Sequence, residues 1–156
     1  MQISEILTLE RTNCCAPGSS KKRVLEYLAN FLAQLNPDAD NVVLYEQLLA
    51  RERLGSTGIG DGVAIPHCRM EGIKEAVGVL LRLQKSVDFD AIDGQPVDLV
   101  FALIVPKDDG DNQANDEHLN TLASIAELMQ NPQRREQLRE AQDNRTLYNS
   151  ATQGQG

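Results

Sequence analysis

The chain has 156 residues, 41% of them hydrophobic, and 15 Lys plus Arg against 23 Asp plus Glu give a net charge of −8. A chain of this length buries roughly 70% of its unfolded surface, so it folds as one domain without disulfides or a structural metal. With a pI near 4.7 its surface repels phosphate backbones and anionic headgroups, which excludes nucleic-acid and membrane-surface binding. Its longest near-continuous apolar run, residues 99–105, falls far short of the roughly 20 residues a membrane helix needs, which excludes insertion. Met1-Gln-Ile-Ser-Glu5 carries an acid where an export signal carries basic residues, so the expected location is the cytoplasm. Cys14, Cys15 and Cys68 are odd in number and lack CxxC spacing, so reduced thiols are expected, with Cys14-Cys15 read as small buried hydrophobes.

The first predicted helix covers residues 20–35, where Val24, Leu28, Phe31, Leu32 and Leu35 share one face and Asn36-Pro37 ends the run. A second carries Val42, Leu44, Leu48, Leu49 and Leu54, with Asp40 or Asn41 as N-cap and Gly55 as the glycine that closes it. The glycine-rich loop 56–62 cannot continue that helix; it leads into an extended piece, Val63-Ala64-Ile65, fixed by Pro66. A strand is expected over residues 76–83, a turn at Asp93-Gly94-Gln95-Pro96, and then a central strand over 97–105, apolar on both faces apart from Asp98. A loop over 107–115 delivers the chain to a helix beginning near Asn115 or Asp116, with Leu122, Ile125 and Met129 as its buried stripe and His118 on the same face. Residues 132–149 read as one or two short helices. The domain therefore spans residues 1–150 and 151–156 form a flexible tail. Helices before, between and after strands define a single α/β domain: a mixed, mostly parallel sheet of about five strands sandwiched between helices.

Only two histidines occur. His67 follows Pro66 directly after the glycine-rich loop, a setting that presents an imidazole at a fixed angle with backbone N–H groups free to meet an anion. A plain turn histidine is the alternative. Arg51, near the end of the second helix, can deliver to the same loop the planar fork that best matches phosphate oxygens. It can equally form a surface ion pair with Glu46 or Glu52, and Arg53 competes for the role. His118, in the first turn of its expected helix, would be kept neutral by the helix dipole, or would be a core histidine satisfied by a carbonyl. Other chemistries fit worse. Gly58-Ile59-Gly60-Asp61-Gly62 lacks the lysine of a phosphate-binding loop and the spacing of a dinucleotide fingerprint, no HExxH occurs, and Cys68 beside His67 in an extended chain points away from it.

The string Ser56-Thr-Gly-Ile-Gly-Asp-Gly-Val-Ala-Ile-Pro-His67 resembles the phosphorylation-site signature of the fructose/mannitol-type IIA domains of the bacterial phosphotransferase system. Arg51-Glu-Arg-Leu-Gly, Asp90-Ala-Ile-Asp-Gly-Gln-Pro-Val97 and Glu117-His-Leu119 extend the resemblance over roughly residues 4–148. Ile6-Leu-Thr-Leu, Gly18-Ser-Ser-Lys-Lys-Arg-Val-Leu25 and the lack of a fused transporter domain look most like the stand-alone, nitrogen-regulatory members. The resemblance implies a phosphohistidine carrier in which His67 accepts a phosphoryl group, at Nε2, from an HPr-like carrier. Arg51 and His118 fall on the other two active-site positions. Arg51, the N–H groups of Gly58, Gly60 and Gly62, and Ser56 or Thr57 would bind the phosphoryl oxygens, and His118 would hydrogen-bond the group. No cofactor, nucleotide or metal is implied. The implied partners are that carrier and regulatory targets tied to nitrogen and potassium balance, such as potassium-transport or sensor-kinase components. Delivery to a sugar-specific IIB domain for fructose or mannitol is the metabolic alternative, and a binding module without chemistry is a third. One departure is Cys68, where the family usually has glycine, which bears on backbone freedom and thiol sensitivity beside His67.

Overall fold

The structure, a computed structural model, describes residues 2–107 and 112–153, with the backbone alone for 112–117. Among the described residues, six α-helices and six strands follow one another in the order α1 (Ile3–Ile6), β1 (Thr12–Ala16), α2 (Lys21–Leu35), α3 (Asn41–Arg53), β2 (Gly58–Gly60), β3 (Val63–Ala64), β4 (His67–Met70), β5 (Val77–Val87), β6 (Val97–Pro106), α4 (Asn112–Gln130), α5 (Pro132–Glu140) and α6 (Asn144–Thr152). The strands form one six-stranded sheet in the order β1-β5-β6-β3-β2, with β4 also pairing β6. The β1–β5, β3–β6 and β4–β6 ladders are parallel, whereas β2–β3 and β5–β6 are antiparallel. The sheet is thus mixed and mostly parallel, as expected, with one strand more than the expected five.

β6 is the keel of the domain. Leu99, Phe101, Leu103 and Val105 pack on one face with α1 and α4–α6, whereas Val100, Ala102 and Ile104 pack on the other with α2 and α3. Every residue from Leu99 to Ile104 is at most 1% exposed, which is why the strand carries no solvent-facing alternation. Asp98, its one polar residue, is held by Arg139 of α5 through Nε and Nη2 at 2.9–3.2 Å. Arg139 also donates to the carbonyl of Asp61, so α5 grips the β2–β3 turn, where Asp61 and Gly62 take positive φ.

Several boundaries differ from the sequence-based expectation. The loop 56–62 contains β2, which pairs back on β3 as a short hairpin, and β1 and β4 were too short and polar to stand out by alternation. In α3 only Leu44, Leu48 and Glu52 are buried; Val42 and Leu54, at its two ends, are 59% and 85% exposed. α4 begins at Asn112, because no Gly or Pro interrupts residues 112–118; the rest of the expected loop, 108–111, lies outside the described residues. α6 runs to Thr152 with Ala151 fully buried, so the expected tail begins inside a packed helix, and its last residues, 154–156, lie outside the description. Cys14 is half-buried and Cys15 exposed on the edge strand β1; only Cys68 is a buried thiol.

Phe101, fully buried in β6, sets the expected scale of core stability. Phe101→Ala should lower the unfolding free energy by about 3–5 kcal/mol, read as a drop in the urea midpoint at unchanged m-value.

Candidate functional site

The second helix ends where its caps dictate. Asp40 accepts from Val42 and Val43 at the start, and at the end the N–H groups of Leu54 and Gly55 fold back onto the carbonyls of Arg51 and Glu52. Arg51 therefore sits in the last turn, where a cation complements the helix dipole. On the far side of the loop, Pro66 has no N–H to donate, so the parallel edge along β6 is broken into β3 and β4. β4 restarts with His67 opposite Leu103.

The break brings two side chains together. Nε of Arg51 donates to Nε2 of His67 at 3.3 Å, and Nη1 of Arg51 donates to the carbonyl of Gly55 at 2.9 Å. Nδ1 of His67 lies 2.9 Å from the carbonyl of Ile65. A carbonyl only accepts, so Nδ1 carries the proton and the Nε2 lone pair is free, which the Arg51 donor also requires. Burial holds the His67 pKa below 6.5; the Ile65 carbonyl opposes that shift, Arg51 adds to it, and the Glu52 carboxylate opposes it. The ring is thus neutral near pH 7, with Nε2 unprotonated.

Both residues line a cavity of about 550 Å³ at the open edge of the sheet, between α3 on one side and α4 on the other. His118 lies in the same wall, with Nδ1 buried and without a hydrogen-bond partner among the described residues. Because α4 starts at Asn112, His118 is in its second turn, out of reach of the dipole effect expected for a first-turn position. Leu54 and Leu119, both exposed, stand in the apolar part of the lining. In a chain of net charge −8, this lining holds, among the described residues, two arginines and two histidines and no carboxylate, a setting for a small anion.

The structure does not bring the loop residues to this cavity. The Ser56 hydroxyl donates to the carbonyl of Phe89 and accepts from the N–H of Gly58. Thr57 is buried, with its N–H and hydroxyl both given to Glu52. Gly60 lies beside Asp93, and Gly62 lies against Asp98 and Arg139. The Ser56 hydroxyl, both Thr57 donors and the Gly58 N–H are thus engaged within this segment. Arg51 pairs with neither Glu46 nor Glu52. Cys68 adopts ordinary strand geometry at the position where the family usually has glycine, and burial pushes its thiol pKa up to about 12, so it stays protonated and packs as a hydrophobe.

Two contributors escaped sequence reasoning. Arg69, two residues beyond His67, lines the same cavity, as strand periodicity alone would have it. Glu52 continues the buried row of Leu44 and Leu48 at intervals of four residues, and an acid in the last turn of a helix opposes the dipole. That mismatch was the available signal. Among the described residues, no group of three or more His, Cys, Asp and Glu could hold a metal ion. No helix there is long and apolar enough to cross a membrane.

A histidine at a broken sheet edge, guarded by an arginine from the preceding helix, marks the class. The chain belongs to the family described as phosphoenolpyruvate-dependent sugar phosphotransferase system, EIIA 2, whose model matches residues 5–153. Its relatives include nitrogen regulatory proteins: that of Pseudomonas aeruginosa is 45% identical over 148 residues, covering 95% of this chain and 93% of its own. That of Escherichia coli is 41% identical over 160 residues, covering 100% and 93%. The crystal structure of nitrogen regulatory protein IIA-Ntr from Neisseria meningitidis superposes with a TM-score of 0.85 at 37% identity, over 96% of this chain and 99% of that one. Mannitol IIA of Escherichia coli shares the fold, with a TM-score of 0.71 at 15% identity over 90% and 96%.

The lowered His67 pKa has a defined consequence for stability. The unfolded chain binds this proton more readily than the native one, so protonation favours unfolding. The His67 contribution is flat above pH 6.5 and turns against the native state as the pH falls from 6.5 through the lower native value. Urea midpoints of wild type and His67→Gln, compared from pH 8 to pH 5, should therefore diverge only below about 6.5, to the disadvantage of wild type.

Proposed function

We propose that the protein is a phosphohistidine carrier of the nitrogen branch of the phosphotransferase system, accepting a phosphoryl group on Nε2 of His67 from an HPr-like carrier and regulating its targets by its phosphorylation state. The observation that carries this reading is the His67 ring itself: Nδ1 is fixed as donor to Ile65, and Nε2 is unprotonated beside the Arg51 guanidinium. Family membership and the nitrogen regulatory relatives support the phosphoryl chemistry and the branch.

In the reaction, the Nε2 lone pair attacks phosphorus as the N–P bond of the carrier's phosphohistidine breaks, and the electron pair of that bond stays on the carrier's nitrogen. The Nδ1 proton does not move. The positive charge that develops on the ring is shared through Nδ1–H with the Ile65 carbonyl. The transferring group is loose and metaphosphate-like, with charge on three equatorial oxygens, so catalysis is alignment plus donors aimed at those oxygens. Arg51 supplies the donors by turning from Nε2 to the oxygens, and His118 supplies one more. The donor N–P bond is already high in energy, so the step calls for no nucleotide.

The test is intact mass after incubation with the phosphorylated nitrogen-branch carrier, beside the sugar-branch carrier. One acid-labile phosphoryl group is expected, gained fastest from the nitrogen carrier and absent in His67→Ala. Arg51→Ala should fold normally and slow transfer by roughly 100- to 1,000-fold; His118→Ala should slow transfer or shorten the life of the phosphoprotein. Stoichiometric labelling of His67→Ala would refute the site. Faster labelling by the sugar-branch carrier would move the protein to sugar uptake, and no labelling by either would make it a binding module.

A further inference from the structure

Glu52 is the one buried charged residue among the described residues, its side chain only 2% exposed. Both of its oxygens are engaged by a single residue: Oε1 accepts the Thr57 N–H at 2.9 Å and Oε2 accepts the Thr57 hydroxyl at 2.7 Å. Lys21, at the start of α2, brings its ammonium within 3.7 Å of Oε1 while bonding Asp90 at 2.9 Å. A buried carboxylate is costly to retain for packing alone, since an apolar side chain on the Leu44–Leu48 row would fill the site without desolvating a charge. What it holds is the turn, and the turn holds the two groups that meet at the cavity.

Two short chains of bonds run from Thr57. Along one, the Thr57 carbonyl accepts the Ile65 N–H at 3.0 Å, and the Ile65 carbonyl accepts Nδ1–H of His67 at 2.9 Å. Along the other, only Ser56 separates Thr57 from Gly55, whose carbonyl accepts Nη1 of Arg51 at 2.9 Å. The two chains close at the 3.3 Å contact between Arg51 Nε and His67 Nε2. We infer that Glu52 is a positioning residue for phosphoryl transfer, setting through Thr57 both the aim of the Arg51 guanidinium and the tautomer and orientation of His67. This inference rests on His67 being the phosphoryl acceptor. Glu52 touches neither reacting atom; it acts on alignment, where an error of about 1 Å costs on the order of 100-fold in rate. Its charge also favours the imidazolium of His67, so it offsets part of the Arg51 field at the same ring.

The experiment uses Glu52→Gln, which keeps shape and one acceptor, and Thr57→Val, which keeps shape and removes the hydroxyl donor. Each is followed by the rate of phosphoryl transfer from the phosphorylated nitrogen-branch carrier and by a ¹⁵N and ¹H titration of His67. Expected for Glu52→Gln is a roughly ten- to 100-fold fall in the maximal rate at unchanged half-saturation. The His67 midpoint should move lower, and the Nδ1–H tautomer should lose population. Thr57→Val should shift the rate and the tautomer the same way by less, and it carries the test if Glu52→Gln does not fold. A folded Glu52→Gln with wild-type rate, midpoint and tautomer would overturn the inference, as would a loss of thermal stability with those three unchanged. If wild type accepts no phosphoryl group, the acceptor assignment falls, while the titration still decides whether Glu52 orients the ring.

Discussion

The register between β4 and β6 is the constraint on which the site depends. β6 is buried on both faces, and its alternate residues belong to two separate apolar clusters, so a slip by one residue would send every side chain to the wrong layer. That pins His67 opposite Leu103. Pro66 then breaks the ladder at the one point where the backbone must turn its polar groups elsewhere, freeing the Ile65 carbonyl to receive the imidazole and the Ile65 N–H to reach Thr57. The rigid part of the fold sets position, and the interruption sets orientation.

Around that point the molecule separates its electrostatics. The chain is acidic overall, whereas the cavity wall gathers guanidinium and imidazole with no carboxylate among the described residues. Glu52, the acid whose charge acts on the His67 ring, is buried behind the turn and occupied by Thr57 and Lys21. It lends its charge without competing for Arg51. In the proposed reaction, an arginine that already rests on the His67 ring needs little motion to meet an incoming anion, which keeps the reorganisation of the site small.

Much of this was legible before any coordinates. The amphipathic spacing in α2, the caps of α3 and the two-sided apolar run of β6 gave the layers, and the string from Ser56 to His67 pointed to the reactive ring and its arginine. What stayed hidden was hidden for physical reasons. β1, β2 and β4 are two-sided or glycine-rich strands whose pairing comes from tertiary contacts, not from alternation. The glycine loop looked like an anion cradle because its N–H groups seemed unclaimed; in three dimensions Glu52 takes the Thr57 N–H and Ser56 takes the Gly58 N–H. Glu52 itself read as a surface charge because its pairing with Lys21 spans two helices.

The broken edge has one more consequence. A continuous strand at the border of a sheet is a template on which another chain can add a strand, and that is a route to aggregation. On the side of the sheet that carries the site, the border is made of β2 and β4, separate pieces of three and four residues, too short to recruit a foreign strand. A protein that presses against this margin would meet it through side chains alone, which suits the release of partners that the proposed carrier role requires.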